Sequence, residues 1–155
     1  PANGERGGFD VINDELHIYV EMKNKHNTMN SAAAGKTYMK MQNKLLRDDK
    51  ATCMLVEVIA KRSQNKTWIV TVDKEQFKNA RICRVSIDKF YEIVFGDKYA
   101  FLKLCRVLPQ ILDDIMKAEP SIVMNYEVYD ELDKKNFYKS LYMLAFNTYE
   151  GFDTL

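Results

Sequence analysis

Two carboxylates and a lysine give this chain its clearest chemical potential: Asp10, Glu21 and Lys23, in the stretch GFDVINDELHIYVEMKNK. The run Phe9–Asn13 alternates as a short strand, Asn13-Asp14-Glu15 makes a turn, and His17–Lys23 returns as a second strand. Side chains alternate across a strand, so Ile18, Val20 and Met22 share one face while Tyr19, Glu21 and Lys23 share the other. The first set suits a core. The second sets a carboxylate beside an ammonium, and the turn folds Asp10 back towards Glu21. These are the parts needed to hold Mg²⁺ against a phosphodiester. Mg²⁺ takes one or two protein carboxylates and completes its octahedron with water and phosphate oxygens. It lowers the pKa of bound water and neutralises charge on the phosphoryl oxygens, and a neighbouring lysine can orient the attacking water and steady the transition state. Asp14, in the turn, is the alternative metal ligand to Asp10 and is less well placed. A solvated Glu-Lys edge strand would share the bare E-x-K pattern; the upstream Asp10, the apolar opposite face and the basic loop that follows favour the metal reading.

The elements around this hairpin supply a surface for a polyanion. After Lys23 comes NKHNTMNS, a polar loop whose Asn24, Lys25, His26, Asn27 and Asn30 can meet phosphates or base edges. Asn30 or Ser31 can also cap the next helix, expected over Ala32–Arg47. Lys36, Lys40 and Lys44 recur on one face of it, and Tyr38, Met41 and Leu45 form its apolar stripe, widened by Met39 and Leu46. Lys36 and Lys40 are candidate phosphate contacts, whereas Lys44 lies farther off and reads as solvated. From Lys23 through Lys66, ten Lys and Arg face three acidic residues; from Asp73 onward, twelve basic residues face fourteen acidic ones. A local basic field beside paired carboxylates suits a nucleic-acid substrate.

FDVIN followed by YVEMKNKHNTMNS resembles the PD-(D/E)xK superfamily of nucleases. With GKTYMKMQNKL it resembles, more narrowly, the type II restriction endonucleases that cut GGNCC or GGWCC sites. The likeness is clearest over Gly8 to Leu46 and weaker in FGDKYAFLKLCRVLP. It maps the superfamily's first aspartate onto Asp10, its second acidic residue onto Glu21 and its lysine onto Lys23, with Phe9 standing where the motif has proline. It implies Mg²⁺-dependent hydrolysis of both strands of double-stranded DNA at a short palindromic site, leaving 5′-phosphates. A palindromic site calls for a two-fold homodimer, with the C-terminal helices as candidates for the interface. The superfamily fold has a helix before the first strand, so the resemblance implies that this chain lacks an N-terminal segment of the full-length protein.

Downstream, Asp48-Asp49-Lys50 turns into strand Thr52–Ala60, nearly continuous in apolar character and broken only by Glu57, as expected of a central strand. A polar turn, Arg62 to Lys66, leads to strand Thr67–Val72 and could reach DNA. Phe77–Val85 carries a further strand, clearest over Arg81–Ser86. Asp88 should cap a short helix through Val94, Gly96 should end it, and Asp97 should cap a longer one. Pro109 must kink that helix or begin another; Pro120 closes the segment. Tyr126 to Tyr149 is helical again, with Leu132, Phe137, Leu141, Leu144 and Ala145 towards a core. The tyrosines of this part (Tyr126, Tyr129, Tyr138, Tyr142, Tyr149) suit packing more than base stacking. Hairpins, an interposed helix, more strands and then helices point to an α/β fold. The resemblance makes it a restriction-endonuclease-like three-layer α/β/α sandwich with a mixed central sheet and a helical C-terminal part, a single nuclease domain over 1–155.

The 155 residues, 46% hydrophobic and 29% charged, suit one globular domain. No apolar run approaches the ~20 residues that span a bilayer, and no secretory signal opens the chain. Cys53, Cys83 and Cys105 form no CxxC pair and read as buried free thiols in a reducing cytoplasm, with no zinc site. The absence of GxGxxG and GxxxxGK[ST] argues against a nucleotide cofactor. No GxSxG occurs, and neither histidine has a convincing nucleophile partner: His17 reads as structural or supporting, His26 as the better functional candidate.

Overall fold

The computed structural model describes residues 8–118 and 137–154. Its chain divides into two compact units, residues 1–90 and 91–155. The first is built on a five-stranded mixed sheet of β1 (Val11–Asn13), β2 (Ile18–Lys25), β3 (Thr52–Ile59), β4 (Asn65–Val72) and β5 (Glu75–Ser86), in the order β1-β2-β3-β5-β4. The outer pairs β1/β2 and β4/β5 are antiparallel, while β2, β3 and β5 run parallel. This is the α/β architecture with a mixed sheet that the resemblance implies.

The crossover between β2 and β3 is helix α1 (Ser31–Arg47), which starts where the Asn30 side-chain oxygen accepts from the Ala33 N–H at 2.8 Å. Its stripe Tyr38, Met41 and Leu45 is buried against Phe9, Tyr19, Cys53, Leu55, Trp68, Val70 and Ile82. The Tyr38 and Trp68 rings meet edge to face at 5.6 Å. Met39 and Leu46 do not widen the stripe as expected: they are 49% and 84% exposed, because a helix against one sheet face buries only one side. β3 is the central strand, buried nearly from end to end.

The first hairpin departs from strict alternation. Phe9 precedes β1, next to Gly8 at φ +74, and so packs with Ile12 against the α1 core while Val11 is exposed. The Tyr19 face of β2 is also the helix-covered one: Tyr19 is buried with Phe9 at 5.6 Å, and Val20 is buried on the opposite face. The β4–β5 connection is the two-residue turn Asp73-Lys74, both at positive φ as a primed hairpin turn requires. Neither is glycine, so the usual dipeptide signal is missing, and β5 extends farther back than the expected strand.

Helix α2 (Ile87–Phe95) contains Asp88 within its first turn and ends at Gly96, whose φ of +67 suits the left-handed position after a helix. In the second unit, the Asp97 side chain accepts from the Tyr99 N–H at 2.9 Å ahead of α3 (Ala100–Ala118). Pro109 lies inside that helix. Helix α4 (Phe137–Phe146) and a 3₁₀ turn (Phe152–Thr154) follow. Phe101, Phe146, Tyr149 and Phe152 form an aromatic cluster in which Phe101 and Phe146 meet at 5.1 Å. Phe146, not Leu144, is the buried apolar residue of α4: Leu144 is 81% exposed. Pro120, Tyr126, Tyr129 and Leu132 lie outside the described residues.

All three cysteines are free thiols. Burial pushes both Cys53 and Cys105 up to about 11, so at pH 8 neither holds appreciable thiolate. Titration of the native protein with a thiol reagent at pH 8 is expected to modify half-buried Cys83 first, with Cys53 and Cys105 reacting only after unfolding. Rapid native modification of Cys53 would contradict the packing of α1 on β3.

Candidate active site

Glu21 stands at the centre of a charge cluster formed because β2 and α1 present one face to each other. Lys23, two residues along the same strand face, donates to Glu21 Oε1 at 2.8 Å. Lys40, from the side of α1 turned to the hairpin, donates to Oε2 at 2.5 Å and to the Gly8 carbonyl at 2.8 Å. The Lys40 ammonium also lies 4.6 Å from the centre of the Phe9 ring. Burial alone would push the Glu21 carboxyl up, but hydrogen bonds and charge from Lys23 and Lys40 outweigh it and hold the carboxyl below its ordinary range. The group is therefore an ionised, half-buried carboxylate with fixed cations on either side.

Asp10 brackets Glu21 from the neighbouring chain segment. Its N–H donates to the Val20 carbonyl at 2.9 Å, and its Oδ2 accepts the Met22 N–H at 2.7 Å. It thus replaces a sheet ladder partner on both sides of Glu21, with its other oxygen unpartnered among the described residues. Asp14 lies elsewhere: with Asp48 it accepts from the Tyr19 hydroxyl, each at 3.1 Å. His17, at φ +52, places Nδ1 2.9 Å from Asp48 Oδ2 and holds that carboxyl below its ordinary range. This network fastens the hairpin turn to the end of α1 and leaves His17 away from Glu21. Lys44 is not simply solvated, since its ammonium sits 3.9 Å from the centre of the Tyr19 ring.

Two carboxylates on adjoining segments suit a hard divalent cation that keeps water and substrate oxygens in its shell; here the Glu21 oxygens that such a cation would take are held by the Lys23 and Lys40 ammoniums. Lys36, Lys40, Asn43, Lys44 and Arg47 line an open cleft of about 610 Å³ along α1 beside Phe9 and Tyr19. Asn24, Lys25 and Asn27 are exposed at the end of β2 and in the loop beyond. Asn30 has its side-chain oxygen committed to the α1 cap. The His26 N–H donates to the Ile59 carbonyl at 3.2 Å, and the residue borders a second cleft of about 650 Å³ with Asn27, Lys61, Arg62, Gln64, Lys66 and Arg84.

Glu57 and Arg84 are the pair that the sequence motifs do not single out. Glu57 is 1% exposed and accepts from Arg84 through Nη2 at 2.5 Å and Nε at 3.0 Å. Arg84 Nη2 also donates to the His26 carbonyl at 2.8 Å, and Glu57 stands beside Lys23 in the β2/β3 register. Arg84 thereby ties the central strand to the loop after the E-x-K strand. The available signal was Glu57 itself, the lone acid in TCMLVEVIA, since a buried carboxylate demands a cation.

Residues 2–117 match the family described as Eco47II restriction endonuclease. The chain is also 30% identical over 119 residues to the type II restriction enzyme Sau96I of Staphylococcus aureus, a stretch covering 72% of this chain and 46% of that protein. The chain thus spans a little under half the length of the curated relative it matches. No solved structure gives a significant match.

Proposed function

The chain belongs to the Eco47II restriction endonuclease family, and on that premise we propose that it carries the catalytic centre of a Mg²⁺-dependent type II restriction endonuclease. The substrate is double-stranded DNA at a short palindromic site, with GGNCC or GGWCC suggested by resemblance alone. The observation that carries the reading is the bracketing of Glu21 by Asp10 across the hairpin, with Lys23 on the Glu21 carboxylate.

Asp10 and Glu21 would hold the metal, which when bound supplies an acidified water and charge neutralisation at the phosphoryl oxygens. Lys23 orients the attacking water through its ammonium and stabilises the negative charge that gathers on phosphorus-bound oxygens. The water oxygen bonds to phosphorus as the bond to the 3′ oxygen breaks, leaving a 5′-phosphate and a 3′-hydroxyl. Lys40 shares Glu21 with Lys23 and so has two roles open to it, positioning the carboxylate and meeting a phosphate. Asn24, Lys25, His26, Asn27, Asn30 and Lys36 complete the DNA-facing set. A homodimer would match the two-fold symmetry of the site. The place of action is where DNA is accessible, the cytoplasm of the host cell, and the whole chain acts as one nuclease domain.

Digestion of phage DNA with and without Mg²⁺ tests this directly. Sharp, metal-dependent bands are expected; a smear would remove site specificity, and no cleavage would remove the nuclease reading. Asp10→Ala should abolish the bands and Asp14→Ala should spare them. The reverse pattern would move the metal ligand into the turn.

A further inference from the structure

The second cleft has an architecture that the catalytic cluster does not explain. The parallel strands β2, β3 and β5 all end at it, and in α/β sheets ligands gather outside the carboxyl ends of parallel strands. One wall is the loop after β2, with His26 and Asn27; the other is the turn between β3 and β4, with Lys61, Arg62 and Gln64, and the start of β4, with Lys66. Lys61, Arg62 and Lys66 are exposed, and among the described residues none of them is in an ion pair.

The turn that carries Lys61 and Arg62 and leads into Lys66 is fastened from several sides. The Ser63 hydroxyl donates to Asp88 Oδ2 at 2.5 Å. The Gln64 N–H donates to the Ser86 hydroxyl oxygen at 2.9 Å, and the Ser86 N–H donates to the Gln64 carbonyl at 2.8 Å. The Gln64 amide reaches Glu57 Oε2 at 3.4 Å, and Glu57 in turn holds Arg84, which holds the His26 carbonyl. Both walls are therefore anchored to one buried carboxylate. The fastened turn fixes where its cations emerge, so a ligand has only their side chains left to order, not the backbone that carries them.

We propose that this cleft is a clamp for the sugar-phosphate backbone of duplex DNA, engaging phosphates a few base-pair steps from the one cleaved at the Asp10 and Glu21 centre; this rests on the nuclease reading above. Lys61, Arg62 and Lys66 neutralise phosphates, while Asn27 and Gln64 offer amide groups to sugar or base edges. Spacing agrees with one continuous substrate. Five residues separate Glu21 from His26, a rise of about 16 Å along a strand, which is about five base-pair steps of duplex at 3.4 Å each.

The test is fluorescence anisotropy of a labelled duplex containing the cleavage site, measured over a range of KCl concentrations without divalent cation. Removing one side chain that neutralises a phosphate should lower the slope of log affinity against log salt by about 0.9. The variant Lys61→Ala/Arg62→Ala/Lys66→Ala is therefore expected to reduce the slope by about 2 to 3, with its thermal midpoint unchanged. Lys61→Arg/Arg62→Lys/Lys66→Arg should keep the wild-type slope. Lys66→Ala alone should reduce it by about 1, which preserves the test if the triple variant misfolds. A wild-type slope in the alanine variants overturns the clamp, while Mg²⁺-dependent digestion by the wild-type chain leaves the nuclease reading standing. Equal binding of single-stranded RNA overturns the duplex assignment. No DNA binding and no cleavage by the wild-type chain overturns both readings together.

Discussion

Glu21→Ala is expected to reduce Mg²⁺-dependent cleavage of duplex DNA by about a thousandfold or more, while leaving DNA binding without metal intact or slightly tighter. The size follows from what the carboxylate does. It would hold the metal whose electrostatic contribution is several kcal/mol, and each ~1.4 kcal/mol of lost transition-state stabilisation is a factor of ten. Binding should survive because the substitution removes a negative charge from a surface that must meet phosphates. The loss in stability should be small, since Lys23 and Lys40 are both partly exposed and can reach water once the carboxylate is gone. The pH behaviour carries a fixed sign. The folded-state pKa of Glu21 lies below the ordinary value of 4.5, so the cluster's contribution to stability is complete above about 4.5 and disappears as pH falls through the lowered value. Cleavage should accordingly show no acidic limb from Glu21 near neutrality. Single-turnover cleavage and anisotropy on the same variant separate the two effects, and a variant that still cuts with Mg²⁺ would remove Glu21 from the centre.

The hairpin was legible because its signals are local. Strand alternation puts Glu21 and Lys23 on one face whatever surrounds them, and the Asn30 cap and the Tyr38-Met41-Leu45 stripe fix α1 from sequence. The order β1-β2-β3-β5-β4 needed the structure, because which strands become neighbours depends on tertiary pairing. Lys40 could be read as a helix-face cation, but its placement on Glu21 Oε2 depends on how α1 crosses the hairpin. The Asp73-Lys74 turn was illegible for a different reason: two side-chain-bearing residues at positive φ are disfavoured locally, and the long β4–β5 pairing selects them. Glu57 was visible as an anomaly, yet its partner Arg84 lies 27 residues downstream and becomes a neighbour only through the β3/β5 register.

That pair supports the second large prediction, in which the two partners are unequal. Arg84→Ala should destabilise the chain by about 3 to 5 kcal/mol, because it leaves a buried carboxylate with no cation. Glu57 is 1% exposed and cannot turn to solvent, whereas Arg84 is 29% exposed in its side chain and can. Glu57→Leu should therefore cost distinctly less than Arg84→Ala, and Glu57→Leu combined with Arg84→Met should recover much of the loss by replacing the ion pair with apolar packing. Against a total stability of about 5 to 15 kcal/mol for a domain of this size, the Arg84 loss would shift a urea midpoint far outside error. The same substitution also takes the donor from the His26 carbonyl, so the loop after Lys23 loses its tie to the central strand. Cleavage should then fall more than the folded fraction does, although Arg84 makes no hydrogen bond to Glu21. Urea unfolding and cleavage measured below the unfolding transition give both numbers. A cost below about 1 kcal/mol for Arg84→Ala, against the range expected for a broken buried pair, would mean that Glu57 finds another partner and that the two walls of the second cleft stand without this tie.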